Sequence, residues 1–515
     1  MHLSMDNIKK IIIVGGGSAG WMTAATLIKQ FPNKDISLIE SKDIATVGVG
    51  ESTIVQINRW KTMLGIEDKD FMKHCDASYK LGIRFEDFYK KGDGGFFYPF
   101  GQVDIEENRS GLNDWYFKKL RKPKTPLSDY AESIYPVMSL IKQNKITDKN
   151  LFAGFNLRRD AAYHMDATKF GLWLRDHYCL PRKVTHIKED IKSIEQDEEG
   201  IKTLNKKHKA DLFIDCTGFK SLLIEQTLKS EFIDYSSLLP NNSAWATKLN
   251  YKNKEKELNS YTNCQALDNG WMWTIPLWSR MGKGYVYSNK FVSDDEALKE
   301  FKKHLPKGSH KFNHIKMKVG IHKELWKKNV CAIGLSAGFI EPLESNGLYT
   351  VHEFLVQLCR TLERGDVSQW DKDYYSWSCR LIFDTFAEFV ALHYALSHRK
   401  DTKYWKNNFN KRFYPEHVEG LSNKFPTSFQ TISHNKFKEW KYSPVGGIHS
   451  VATGLNFFPT DSASLKYYNM KSDLKDFDWE TCINNLEAKK ERWNKIIKKE
   501  PSLYEYLKEN IYASS

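Results

Sequence analysis

Three groups of residues are candidates for chemistry, and on type and spacing alone only the first points to it. The run Gly15-Gly16-Gly17-Ser18-Ala19-Gly20 puts glycines at Gly15, Gly17 and Gly20. These are the positions where a tight turn, a close phosphate approach and a close helix contact each exclude a side chain. Ser18 and Ala19 open the helix that follows, and its positive end favours a phosphate. Glu40 closes the next apolar run, twenty residues beyond Gly20, where a carboxylate accepts hydrogen bonds from a ribose diol. The pattern predicts a dinucleotide site without separating FAD from NAD. The second group is Trp271-Met272-Trp273-Thr274-Ile275-Pro276: tryptophans at i and i+2 share one face of a strand that the proline ends, which by periodicity alone is a bulky core strand. The third is a pair of single charges. On type alone Lys80 is one surface lysine among many, and Glu344, two residues after Pro342, is a helix-start acid.

Strands and helices must hold these groups in place. Ile11 to Val14, Trp21 to Gln30 and Ile36 to Ile39 alternate as strand, helix and strand around the glycine turn, which is one βαβ unit of a parallel sheet. Similar apolar runs at Ala210 to Ile214 and Asn329 to Ile333 predict further strands of the same sheet. The fold class expected is α/β, an FAD-binding Rossmann-like module of the glutathione-reductase and aromatic-hydroxylase type. Its sheet segments lie near residues 10–55, 210–220 and 329–350. Residues 85–155 and 240–300, rich in aromatics and turn formers, predict an inserted β-rich substrate region. Helical patterns at Thr350 to Arg364, Trp377 to His398 and Trp479 to Lys499 predict a mostly helical C-terminal part. The organisation expected is a nucleotide-binding module over residues 1–350 and a helical, substrate-side region over residues 351–515.

Composition narrows the function class. The 515 residues carry 41% hydrophobic side chains, enough for a large core. No run reaches the roughly 18 to 20 apolar residues of a membrane helix, and Met1 to Lys10 lacks a secretory pattern. A cytoplasmic protein without a membrane partner is expected. The net charge of +13 comes from lysines dispersed beside acids, as in Lys252 to Glu257, so a solvated surface is expected and nucleic acid is not. The eight cysteines stand singly with no C-x-x-C pair, which predicts buried reduced thiols and no metal centre.

Taken in order along the chain, the motifs resemble the flavin-dependent tryptophan halogenases. The W-x-W-x-I-P run and the N-terminal glycine turn are the family's signature. Gly48-Val49-Gly50-Glu51-Ser52-Thr53 resembles its strap over the flavin, and Asp211 to Phe219 its D-L-F-I-D-C-S/T-G-F segment. Gly334-Leu335 through Pro342-Leu343-Glu344-Ser345 resembles its G-L-x-x-G-F-x-E-P-L-E-S block, and Phe386 to Trp405 its F-V-x-x-H-Y region. The resemblance implies an enzyme that uses FAD, supplied reduced as FADH2, with oxygen and a halide ion. Hypohalous acid formed at the flavin then travels through an internal tunnel to a small aromatic substrate. It implies that Val49, Gly50 and Leu335 join the cofactor site and that Trp271, Trp273, Ile275 and Pro276 lie near the flavin. Lys80 matches the catalytic lysine and Glu344 its acidic partner. Asn346 and Gly347 fall at the halide site, where Asn346 replaces the family's threonine, so chloride, bromide and iodide all stay open.

The resemblance is weaker at the substrate. Tyr98-Pro99-Phe100-Gly101 stands where tryptophan-specific members have H-x-F-G: Phe100 is kept and Tyr98 replaces histidine, which preserves aromatic stacking. No counterpart to the family's tryptophan clamp is found in Glu439 to Pro459, and an indole- or phenol-like ring in a broader pocket is expected. The rival is an FAD-dependent aromatic monooxygenase. Such hydroxylases place aspartate after the late glycine, where this chain has Leu335. No second dinucleotide fingerprint is present, which implies a separate NAD(P)H-dependent flavin reductase that supplies FADH2 by diffusion. A homo-oligomer stays open.

Overall fold

The computed structural model describes residues 7–42, 50–103, 115, 118–119, 121–152, 154–410, 445–456 and 479–513. The first apolar run forms the strand Lys10–Val14 inside a six-stranded sheet. The strands lie in the order Trp326–Lys327, Val330–Ala332, Leu212–Asp215, Lys10–Val14, Asp35–Glu40, Thr185–Lys188. All neighbours are parallel except the outermost pair at the Trp326 edge. Ile11, Ile12, Ile13 and Val14 are all buried, as a continuous apolar run is when both faces of a parallel sheet are covered. The expected runs near 210 and 329 supply the neighbouring strands. Thr185–Lys188 was not foreseen, because it is a partly exposed edge strand without apolar alternation.

A second sheet carries the tryptophan motif. Its seven strands run Asn313–Lys316, Ser243–Leu249, Met281–Tyr287, Gly270–Pro276, Tyr261–Ala266, Gly82–Glu86, Gly95–Pro99, antiparallel except where Tyr261–Ala266 meets Gly82–Glu86. Five of these strands fall within residues 85–155 or 240–300, while Gly82–Glu86 begins before the first range and Asn313–Lys316 lies beyond the second. A small sheet of Glu51–Ser52, Ala162–Met165 and Ser78–Lys80 ties the end of the Gly48–Thr53 motif to the strand of Lys80.

The helices Gly347–Leu362, Gln369–Ala395 and Trp479–Ile496 fill the C-terminal part. Gln369–Ala395 begins earlier than its apolar pattern, because Ser368 and Asp371 form a capping box at its start. The expected division after residue 350 falls inside the helix Gly347–Leu362, which is buried along most of its length. One continuous apolar core extends from Ile8 to Leu507, so that boundary is corrected: the helical part shares its core with the nucleotide module. No described helix is long and apolar enough to cross a membrane.

Candidate active site

The glycine turn shapes the mouth of a cleft of about 350 Å³. Gly15 has φ of +117°, and a Cβ there would stand 2.2 Å from the Cys216 carbonyl oxygen, so no other residue fits. A Cβ on Gly17 would meet nothing within 4 Å, which leaves open space beside the backbone. Gly20 is buried in the first turn of the helix Ser18–Gln30, which carries no acidic residue in that turn to offset its positive end. Ser18 and Ala19 line the cleft with Gly50 and Leu335. Glu40 ends its strand at the turn, its Oε1 2.6 Å from His186 Nε2. An open backbone at a helix start beside a carboxylate fits the diphosphate and ribose of FAD. Val49 lies outside the described residues.

The opposite wall is the seven-stranded sheet. Trp271, Trp273 and Ile275 point into the cleft from one strand face, with indole centroids 6.2 Å apart. Pro276 does not belong with them: strand alternation turns it to the outer face, where it lines a separate groove with Thr274 and Lys283. Its place near the flavin is therefore corrected, and its carbonyl instead accepts a hydrogen bond from Ser78 Oγ at 2.7 Å.

Lys80 is the reverse of a surface lysine. Its side chain is fully buried, and Nζ donates to the Thr53 carbonyl at 2.9 Å and to Ser345 Oγ at 2.8 Å. Burial pulls the amine down to about 7, opposed by Glu344, Cys264 and Glu51. Ser345 also lines the cleft, so this one residue connects cleft and amine. It holds a left-handed backbone, φ 60°, unusual away from glycine, at the turn between Pro342–Glu344 and the helix Gly347–Leu362.

On the other side of the amine lie the remaining predicted residues. The Phe100 ring is 5.0 Å from Lys80 Nζ, and Tyr98 packs edge-on against Phe100 at 5.6 Å. Glu344 is fully buried, its Oε1 2.7 Å from His393 Nε2 in a close pair without linear hydrogen-bond geometry. Burial raises the Glu344 carboxyl, opposed by His393 and Lys80. His393 Nδ1 lies 3.2 Å from the carbonyl oxygens of Phe389 and Val390; carbonyls only accept, so Nδ1 carries the proton and Nε2 is left to face Glu344. Asn346 is buried, with Nδ2 donating to the Ile340 carbonyl at 3.3 Å and Oδ1 without a partner. The helix Val445–Gly454, inside the segment searched for a tryptophan clamp, packs Gly447 against Tyr98 and Gly454 against Phe96.

His393, Ser345 and Glu51 complete the site, and spacing did not single them out. Each stands inside a quoted motif, so the motifs themselves were the available signal. Among the described residues no cluster of metal-ligating side chains occurs, and the seven described cysteines are buried and free.

A nucleotide cleft facing paired tryptophans, with a buried amine behind it, is the architecture of a flavin-dependent halogenase. The family model described as tryptophan halogenase matches residues 10–498. Tryptophan 6-halogenase SttH of Streptomyces toxytricini is 34% identical over 429 residues, 79% of this chain and 82% of that protein. The apo structure of VirX1 superposes with a TM-score of 0.89 at 34% identity, covering 99% of this chain and 100% of that one. Xcc4156, a flavin-dependent halogenase from Xanthomonas campestris, gives a TM-score of 0.84 at 26% identity over 97% of this chain and 98% of its own. The chain belongs to the tryptophan halogenase family and is an oxidoreductase of the flavin-dependent halogenase class.

Proposed function

We propose that this enzyme halogenates an electron-rich indole- or phenol-like ring through Lys80. The observation that carries the proposal is the Ser345 hydroxyl, which lines the flavin cleft and accepts a hydrogen bond from a fully buried lysine. Reduced FAD, when bound, supplies the electrons with which oxygen oxidises a halide to hypohalous acid. Gly15, Gly17, Ser18, Ala19 and Gly20 hold its diphosphate, Glu40 its ribose, and Gly50 and Leu335 its ring end. Trp271, Trp273 and Ile275 exclude water from that end. The backbone N–H groups of Asn346 and Gly347 hold the halide at the start of a helix. Because Asn346 adds an unpartnered buried Oδ1 at this position, the pocket does not dictate chloride, and bromide and iodide are equal candidates.

Hypohalous acid passing Ser345 meets an amine that is substantially neutral near pH 7, because burial lowers Lys80 to about 7. Lys80 hydrogen-bonds the acid and polarises its halogen, or takes the halogen as a haloamine. The ring attacks the halogen, and Glu344 takes the proton lost from the ring carbon and returns it to the departing hydroxide or amine nitrogen, which leaves as water or the free amine. Phe100 and Tyr98 stack on the substrate. A separate NAD(P)H-dependent reductase supplies FADH2.

The test is product mass spectrometry with FAD, a flavin reductase, NADH and oxygen, offering chloride, bromide or iodide and a panel of indoles, phenols and pyrroles. Halogenated product is expected from the wild type and none from Lys80→Ala, with flavin reoxidation continuing in both. Hydroxylated product alone would move the protein to the monooxygenase reading.

A further inference from the structure

One carboxylate in the cleft has no task in the scheme above. Glu51 begins the strand Glu51–Ser52 and lines the cleft together with Ser345 and Gly347. No side-chain hydrogen bond or ion pair engages it among the described residues. A Cβ on Gly347 would stand 2.8 Å from Glu51 Oε1 and 3.5 Å from Oε2, so both oxygens lie over the first residue of the sixteen-residue helix Gly347–Leu362. The N–H groups of Asn346, Gly347 and Leu348 have no acceptor among the described residues, and beside them the buried Asn346 Oδ1 also lacks a partner. A helix start with free donors attracts an anion. In this structure the negative group lying against it is the chain's own.

We propose that Glu51 gates the halide subsite: halide reaches the Asn346 and Gly347 amides only once the Glu51 carboxyl is neutral or displaced, so halide binding is coupled to uptake of one proton. This rests on the halide subsite described under the proposed function. The elements around Glu51 carry several ionisable groups besides its own, of which Tyr79, Tyr163 and the Cys264 thiol of the same cleft are kept protonated by burial. Lys80 comes from the strand Ser78–Lys80, His164 from Ala162–Met165 and Glu344 from the turn before Ser345. Burial and then Lys80 hold His164 well below its ordinary range, so it stays neutral. Burial raises Glu51 to about 7 and Lys80 opposes the rise, which places the proton exchange in the neutral range. The gate also has a mechanical side. Thr53, two residues on, accepts from Lys80 through its carbonyl, so displacement of Glu51 pulls on the segment that holds the amine.

The experiment uses crystals of the full chain soaked in bromide at about pH 6 and about pH 8.5, with occupancy read from anomalous scattering, for the wild type and for Glu51→Gln. Bromide titrations followed by bromide NMR line broadening give the matching affinities in solution. Wild-type affinity is expected to weaken toward a limiting slope of about tenfold per pH unit above the Glu51 transition, the signature of one linked proton. Glu51→Gln keeps the shape, removes the charge, and is expected to hold bromide at both pH values. Equal bromide occupancy at both pH values in the wild type would overturn the gate while leaving the halide subsite standing. A Gln variant that still loses bromide at high pH would assign the proton elsewhere and also overturn it. Absence of bromide beside Asn346 and Gly347 in every crystal would overturn both the gate and the subsite on which it rests.

Discussion

Replacing Lys80 with methionine should stabilise the protein while abolishing halogenation. The side chain is fully buried, and burial takes the amine from 10.5 to about 7. At about 1.36 kcal/mol per unit, a neutral solution carries a cost of roughly 4 to 5 kcal/mol for holding that lysine inside. The sign follows from proton counting. Between the two values the unfolded chain binds the proton and the folded chain does not, so stability is complete above pH 10.5, is lost as the pH falls, and is at its lowest below about 7. Methionine has nearly the same length and no charge to desolvate. Against this gain, the Thr53 carbonyl and the Ser345 hydroxyl lose their donor, at about 1 to 2 kcal/mol for each buried group. The net expectation is a gain of roughly 0 to 3 kcal/mol at pH 7 that shrinks or reverses near pH 10. Urea unfolding of both proteins at the two pH values measures it, and mass spectrometry on the same preparations reports product. A variant less stable than wild type at pH 7, or a difference that does not change with pH, would refute the account of a lysine held in the core for chemistry at the expense of stability.

Three further outcomes follow from the same geometry. Glu344→Gln should lower product formation by about 10²- to 10⁴-fold while leaving flavin reoxidation intact, because it removes a proton acceptor and not a cofactor contact; full activity in single-turnover assays would exclude that role. Gly15→Ala should lose FAD binding in fluorescence titrations, since the position has φ of +117° and its Cβ would meet the Cys216 carbonyl at 2.2 Å. Trp273→Ala should destabilise the protein by about 3 to 5 kcal/mol in urea unfolding, because this buried indole lies so closely on Gly284 that a Cβ there would be 2.0 Å from its ring.

What the sequence discloses about this molecule depends on how local each requirement is. The glycine turn, the paired tryptophans and the apolar strand runs were legible because each answers to a steric or periodic rule within a few residues. Lys80 was not legible from its type. Its strand Ser78–Lys80 has only three residues, and its burial comes from Ala162–Met165, Phe100 and Ser345, which are remote in the chain. Only motif resemblance drew it out. His393 was not singled out at all: it is a histidine on a long helix until the fold brings Glu344 to 2.7 Å from its Nε2. Pro276 shows the opposite failure: the motif grouped it with the tryptophans, and elementary strand alternation turned it away.

On the proposed mechanism, the separation of cleft and amine has a chemical consequence. An oxidised halogen released in open solvent would react with the nearest exposed nucleophile, including the protein's own methionines and cysteines. Here the seven described cysteines are buried, and burial raises every thiol closest to the site, Cys216 and Cys264 included, well above its ordinary range, so none offers a thiolate near pH 7. Lys80 is shifted the other way by the same burial, because desolvation favours whichever form is neutral: the thiol keeps its proton and the ammonium gives one up. A single physical effect therefore silences the competing thiols and arms the amine. Selectivity between them needs no special recognition of hypohalous acid, only a dry interior and a lysine placed within reach of Ser345.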